Sequence, residues 1–112
     1  MITIEKLNRL GVDTKEGLAR CMNKEDFYIR MLTMGIQDEH FEALEKALDE
    51  KNLDEAFEAA HALKGIIGNL AITPIYIPLN RLTEMLRARM KANYAPIYKP
   101  IKDVRNKILS EL

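Results

Sequence analysis

The sequence has few of the residues on which several protein classes depend. Tryptophan is absent and aromatic residues make up 6% of the 112-residue chain, which argues against stacking platforms for single-stranded nucleic acid. Cys21 is the only cysteine, so neither an internal disulfide nor a cysteine-based zinc cluster can form. No apolar run approaches the ~20 residues that a helix needs to cross a membrane.

An excess of charge of one sign is also missing. Lys+Arg and Asp+Glu are both 17, whereas a surface for nucleic acid or anionic lipid requires basic residues to dominate. The first residues, Met1 to Lys6, lack the basic and apolar parts of a signal peptide. We therefore expect a cytoplasmic protein that binds neither nucleic acid nor a membrane.

The five glycines never form the glycine-rich loop that opens a helix in nucleotide-binding proteins. We expect no ATP site and no cofactor of the chain's own. The length corresponds to a single domain, residues 1–112.

The apolar residues follow a helical period almost everywhere. The clearest case is 53–72, where apolar residues stand three and four positions apart and Asn52 is placed to cap the first turn. Thr73-Pro74 ends that helix and starts the next, over about 74–92. Similar helical patterns stand before and after these two helices, and no strand pattern lies between them. The sequence predicts an all-α fold, an antiparallel four-helix bundle with short additional N-terminal helices.

A second stripe on the 53–72 helix is unusual. His61, Gly65, Gly68 and Ile72 fall together, well over 90° from the centre of the apolar face. Each glycine inside a helix costs about 1 kcal/mol relative to alanine, so a solvent-exposed face gains nothing from two of them. Either a partner docks close to His61, with Ile72 supplying apolar contact, or a neighbouring helix packs tightly there against a half-buried histidine. Periodicity alone leaves both readings open.

Other chemistry has weaker support. His40 is the only other histidine, and no cysteine cluster joins either one to form a zinc site. General acid–base catalysis by His61 with Glu58 is an option, but nothing marks a substrate pocket. We expect His40 to be a solvated surface residue, Cys21 to lie in the core, and the methionines to be core filler.

Residues 61–70, HALKGIIGNL, resemble the signature of histidine phosphotransfer domains, the HPt family. The pattern is His-x-Leu-Lys-Gly, three mostly small residues, then Asn or Ser and an apolar residue. Together with the stretch from Gly11 to Leu32 and the helix after the histidine, the resemblance covers roughly 11–90. It implies a four-helix bundle with extra N-terminal helices. Such a bundle carries a phosphoryl group on an exposed histidine between aspartates of response-regulator receiver domains.

The resemblance also implies roles for single residues. His61 would accept the phosphoryl group and Lys64 would neutralise its charge. Gly65 and Gly68 would leave room for a docked receiver domain, and Asn69 would support the site by hydrogen bonding. The expected partners are receiver domains and a hybrid sensor kinase, with a divalent metal ion on the receiver.

This chain departs from the family pattern at three positions. Ala71 stands where the family often has glycine, and Pro78 is unusual in the following helix. The family often places Glu or Gln on that helix facing the histidine, where by count Thr83 stands here. We expect a monomeric, stoichiometric phosphoryl carrier without ATP-dependent kinase activity. Two rivals stay open: a non-catalytic module that binds a partner through the same surface, and a bundle that self-associates through its glycines.

Overall fold

A computed structural model describes all 112 residues and shows seven helices and no strand. Their bounds are α1 Ile4–Arg9, α2 Thr14–Arg20, α3 Glu25–Ile36, α4 His40–Asp49, α5 Leu53–Asn69, α6 Thr73–Arg87 and α7 Ala95–Leu109. The predicted all-α fold is confirmed. No helix is long and apolar enough to cross a membrane.

Side-chain caps set several helix starts. The Asn52 side chain accepts a hydrogen bond from the backbone N–H of Glu55 at 3.1 Å, which confirms the predicted cap of α5. Thr3 and Asp13 cap α1 and α2 in the same way. Each such cap satisfies a backbone donor that a first helical turn otherwise leaves without a partner.

The end of α5 lies earlier than the sequence predicts. The helix stops at Asn69 because Ala71 takes a φ of +57°, in the left-handed region. The backbone then turns, and Ile72 becomes the N-cap of α6. Glycine adopts this left-handed backbone conformation without steric cost, which is the physical reason for glycine at this place in the resembled family.

Helices α4 to α7 form the predicted antiparallel bundle, since each packs against the next along the chain. Two ion pairs join the first and last of them: Glu45 with Lys102 at 2.6 Å, and Glu42 with Arg105 at 3.1 Å. The paired positions run in opposite directions along the two helices, so α4 and α7 are antiparallel. Pro78 lies inside α6 without ending it.

The N-terminal helices attach to the end of α5 through Tyr28 in α3. This side chain is fully buried, and its hydroxyl donates a hydrogen bond to the carbonyl oxygen of Leu70 at 2.8 Å. Its ring fills the space beside Gly17 of α2, where a Cβ would collide with it. Burial raises the pKa of the Tyr28 phenol to about 12. Helices α2 and α3 are thereby fixed beside the end of α5.

The core is one cluster of 25 buried residues, mainly Leu, Ile, Ala and Tyr. Cys21 belongs to it, as predicted. The prediction that the methionines fill the core is wrong. Five of the six are exposed, Met34 to 61%, and only Met85 is half-buried. In α3 the inward positions are taken by Tyr28, Leu32 and Ile36, which leaves Met31 and Met34 on the outside.

Candidate functional site

His61 lies in the middle of α5 and is exposed. Its ring stacks on that of Phe57, one turn earlier, with 5.6 Å between ring centroids and 18° between ring planes. Neither ring nitrogen has a hydrogen-bond partner within the chain. Because stacking occupies a face of the ring, both nitrogen edges stay open to an incoming group.

Lys64 stands on the next turn of α5 and is half-buried. Its ammonium group forms no ion pair, so its charge is free to act on its surroundings. One group that it acts on is Glu84 of α6. The pKa of Glu84 is lowered, first by a hydrogen bond from Arg87, then by the charges of Arg87, Lys64 and His61.

The side chain of α6 that the charges of His61 and Lys64 influence is therefore Glu84, which follows Thr83 in sequence. Thr83 is fully buried, and its hydroxyl donates to the carbonyl oxygen of Leu79 at 2.7 Å. Thr83, placed by count where the family often has a Glu or Gln facing the histidine, thus makes no hydrogen bond to His61. The Glu84 carboxylate instead accepts a hydrogen bond from Nε of Arg87 at 2.8 Å.

The two glycines of α5 have different surroundings. A Cβ at Gly65 would meet nothing within 4 Å, so this position leaves open space outside the helix. At Gly68 a Cβ would come within 3.0 Å of the Tyr76 ring of α6. Gly65 thus fits the docking interpretation, whereas Gly68 also lets α6 pack closely on α5.

Ile72, predicted at the docking surface, is fully buried. The helical projection that put it beside Gly68 does not apply, because α5 has already ended and the chain has turned at Ala71. Asn69 is exposed near the same surface, but its side chain makes no hydrogen bond within the chain. Eight residues of helix rise put it about 12 Å along α5 from His61, too far for a direct bond.

An open groove of about 580 Å³ runs beside α5, and its walls include His61, Lys64 and Gly65. Among the lining residues that the sequence did not predict as part of a site is Arg20, at the end of α2. Nη1 of Arg20 donates to the carbonyl oxygen of Gly68 at 2.6 Å, and its Nε donates to the Glu16 carboxylate at 3.0 Å. No local signal could reveal this contact, because it depends on how α2 packs against α5.

A larger groove of about 880 Å³ lies at the other end of the bundle, between the α4–α5 and α6–α7 connections. Its walls include Leu53 and Tyr94 but none of the predicted site residues. His40, predicted to be a solvated surface residue, has its Nδ1 within 2.6 Å of the Asp38 carboxylate. No three His, Cys, Asp or Glu side chains cluster as metal ligands would.

Comparison with known families agrees with this geometry. A family model described as the Hpt domain matches residues 36–96, just over half of the 112 residues, and the chain belongs to that family. Hpt domains act in histidine phosphotransfer in phosphorelays and interact with response-regulator receiver domains. No curated protein and no solved structure matches the chain.

The match covers α4 to α6 and the first residues of α7, and so includes His61 and Lys64. It does not reach the stretch from Gly11 to Leu32, on which the sequence resemblance also relied. The groove beside α5 therefore has walls both inside the matched part and, through Arg20, outside it.

Proposed function

We propose that this protein relays a phosphoryl group between aspartates of response-regulator receiver domains, through a phosphohistidine at His61. The observation that carries the proposal is the state of His61. Its imidazole is exposed, both ring nitrogens lack a partner in the chain, and unpaired Lys64 follows one turn later beside the open position at Gly65.

In the transfer step, the lone pair of an unprotonated ring nitrogen of His61 attacks the phosphorus of a receiver's aspartyl phosphate. An N–P bond forms and the P–O bond to the aspartate breaks, with its electron pair staying on the carboxylate. The proton on the other ring nitrogen is then given up to water. Transfer to the next receiver reverses these steps.

Little else is required of the chain, because phosphoryl transfer depends mostly on positioning and on neutralising charge. Lys64 supplies a positive charge for the phosphoryl oxygens. The receiver supplies the aspartyl phosphate and a divalent metal ion. The chain has no role for ATP in this scheme, and the first donor is the receiver of a hybrid sensor kinase.

Docking of the receiver uses the outer face of α5 at Gly65, where no side chain stands in the way. Exposed Asn69 extends this face toward the end of the helix, and Gly68, partly covered by Tyr76 and Arg20, borders it. We propose that the protein acts as a monomer, since self-association over this face would cover His61, and that it does so in the cytoplasm.

The test is transfer from isotopically phosphorylated receiver domains to the purified protein. Wild type should take up acid-labile, base-stable label, and His61→Gln should take up none. His40→Gln, which removes the other histidine, is the matched control and should be labelled like wild type. Lys64→Ala should be labelled more slowly than Lys107→Ala, which removes an exposed lysine of α7.

Absence of label from every receiver, in a folded monomer, would overturn the carrier role. The alternative is then a non-catalytic module that binds its partner through the same face. The acidic side chains of Asp13 and Glu16, which line the groove together with Arg20, suit such a partner better than they suit a phosphoryl group. Label taken up directly from ATP would contradict the proposed absence of kinase activity. A dimer mass in solution would contradict the proposed monomer.

A further inference from the structure

Phe57, whose ring stacks on His61, is in turn covered by a side chain from α6. The guanidinium carbon of Arg87 lies 5.0 Å from the centroid of the Phe57 ring. The same guanidinium is held by the Glu84 carboxylate at 2.8 Å from Nε. Aromatic and charged groups of two helices thus form one connected set that ends at the imidazole.

We propose that Phe57 is a positioning residue that fixes the plane of the His61 imidazole for phosphoryl transfer, and that Arg87, oriented by Glu84, holds the Phe57 ring in place. This inference rests on the proposed function of His61. It adds residues that the phosphotransfer motif does not include, since Phe57 precedes the 61–70 run and Arg87 lies on another helix.

The transfer needs such a device because the reacting lone pair lies in the plane of the imidazole ring. In-line attack therefore requires the ring to hold one orientation while the receiver is bound. The usual restraint is a hydrogen bond to one ring nitrogen. His61 has none within the chain, and the stack with Phe57 is the only close ring contact that the structure gives it.

A stack has an advantage over a hydrogen bond at this position. It restrains the tilt of the ring through its face and leaves both nitrogens free, one to react and one to exchange its proton with water. A guanidinium over an aromatic face is attracted by the ring quadrupole, so Arg87 restrains Phe57 in turn. The Glu84 carboxylate accepts the hydrogen bond from Nε of Arg87 and so holds the guanidinium in place.

Phe57 is also half-buried and packs against the core, so a purely structural role must be distinguished from positioning. The variants are Phe57→Leu, which keeps the apolar volume without a ring, and Phe57→Tyr, which keeps the ring. A structural role would show in unfolding by urea. A positioning role should also show in two measurements that core packing does not affect.

The first measurement is the NMR chemical shift of the His61 ring protons in the unphosphorylated protein, with His40 as internal reference. Phe57→Leu should remove the ring-current shift and Phe57→Tyr should retain it. The second is the rate of label uptake against receiver concentration. The saturating rate of Phe57→Leu should fall about 2- to 10-fold, as expected from the energy of one aromatic stack. The half-saturating receiver concentration should stay unchanged, and Phe57→Tyr should restore the rate.

Unchanged His61 shifts, or an unchanged saturating rate in Phe57→Leu, would overturn the positioning role while leaving the carrier role intact. If wild type takes up no label, the carrier role fails and the positioning role fails with it. Should Phe57→Leu not fold, Arg87→Met removes only the exposed guanidinium. It should lower the saturating rate in the same direction by a smaller factor, and a wild-type rate would overturn the proposal.

Discussion

Gly65 and Gly68 lie one turn apart in α5 and have different structural roles. Around Gly65 the helix surface is empty, and a Cβ would meet nothing. Around Gly68 the surface is closed by the Tyr76 ring on one side and by Arg20, which binds the Gly68 carbonyl oxygen. A glycine in a helix therefore has no single meaning. Gly65 costs stability without any return inside the fold, whereas Gly68 is needed by the neighbouring helix.

The largest expected effect is on stability, in the pair Gly68→Leu and Gly65→Leu. Both substitutions remove the helix penalty of glycine, about 1 kcal/mol. Leucine at 68 must also displace the Tyr76 ring, and overpacking of this kind costs about 1–3 kcal/mol. Urea unfolding should therefore find Gly68→Leu less stable than Gly65→Leu by about 1–3 kcal/mol. Equal stabilities would mean that the two positions do not differ.

The second expected effect is on function and has the opposite order. Gly65→Leu should fold at least as well as wild type but accept label about tenfold more slowly, a loss of about 1.4 kcal/mol, because the side chain would stand on the face that we propose for receiver docking. The measurement is label uptake at a receiver concentration below saturation. Gly65→Ala is the graded control and should lie between leucine and wild type. Wild-type uptake by Gly65→Leu would show that the open face is not used.

The smallest expected effect is the pH dependence that Glu84 contributes on the open side of α5. Its pKa in the folded protein is lowered from 4.5, mainly by the hydrogen bond from Arg87. The folded state therefore favours the ionised form, and this contribution is present above about pH 4.5 and lost as the pH falls through the lower, folded-state pKa.

Stability of Glu84→Gln should accordingly fall less steeply below pH 4.5 than that of wild type. The effect is small because the pair with Arg87 is exposed to solvent. Urea unfolding at several pH values measures it, with Glu50→Gln as the control at another exposed glutamate. If the stability of Glu84→Gln fell as steeply with pH as that of wild type, Glu84 would make no electrostatic contribution to stability in this pH range.

Features determined by neighbours in sequence could be predicted. The all-α fold, the antiparallel bundle and the Asn52 cap follow from periodicity and capping chemistry within a few residues. His61 stood out because a stripe with two glycines conflicts with a simple amphipathic helix, and Lys64 was added by the resemblance to the HPt signature. In the structure His61 is exposed and Lys64, one turn later, is half-buried, and the family match covers both residues.

Features determined by packing could not be predicted. The burial of Ile72 depends on the left-handed residue Ala71, which a helical projection ignores. Glu84 was missed in favour of Thr83 because the rotation of α6 against α5 is set by side-chain packing, such as that of Tyr76 on Gly68. The exposed methionines were placed inside because periodicity counts every apolar residue as a core candidate.

The hydrogen bond from Arg20 to Gly68 has a consequence for how this protein can be divided. The residues that match the family begin at position 36, yet one wall of the groove comes from a helix that ends at Arg20. A chimera that takes only 36–96 from this chain would keep the phosphotransfer motif but lose that wall. Such a graft would carry His61 and Lys64 without the full shape of the groove beside them, so the hybrid would present a different surface at this site.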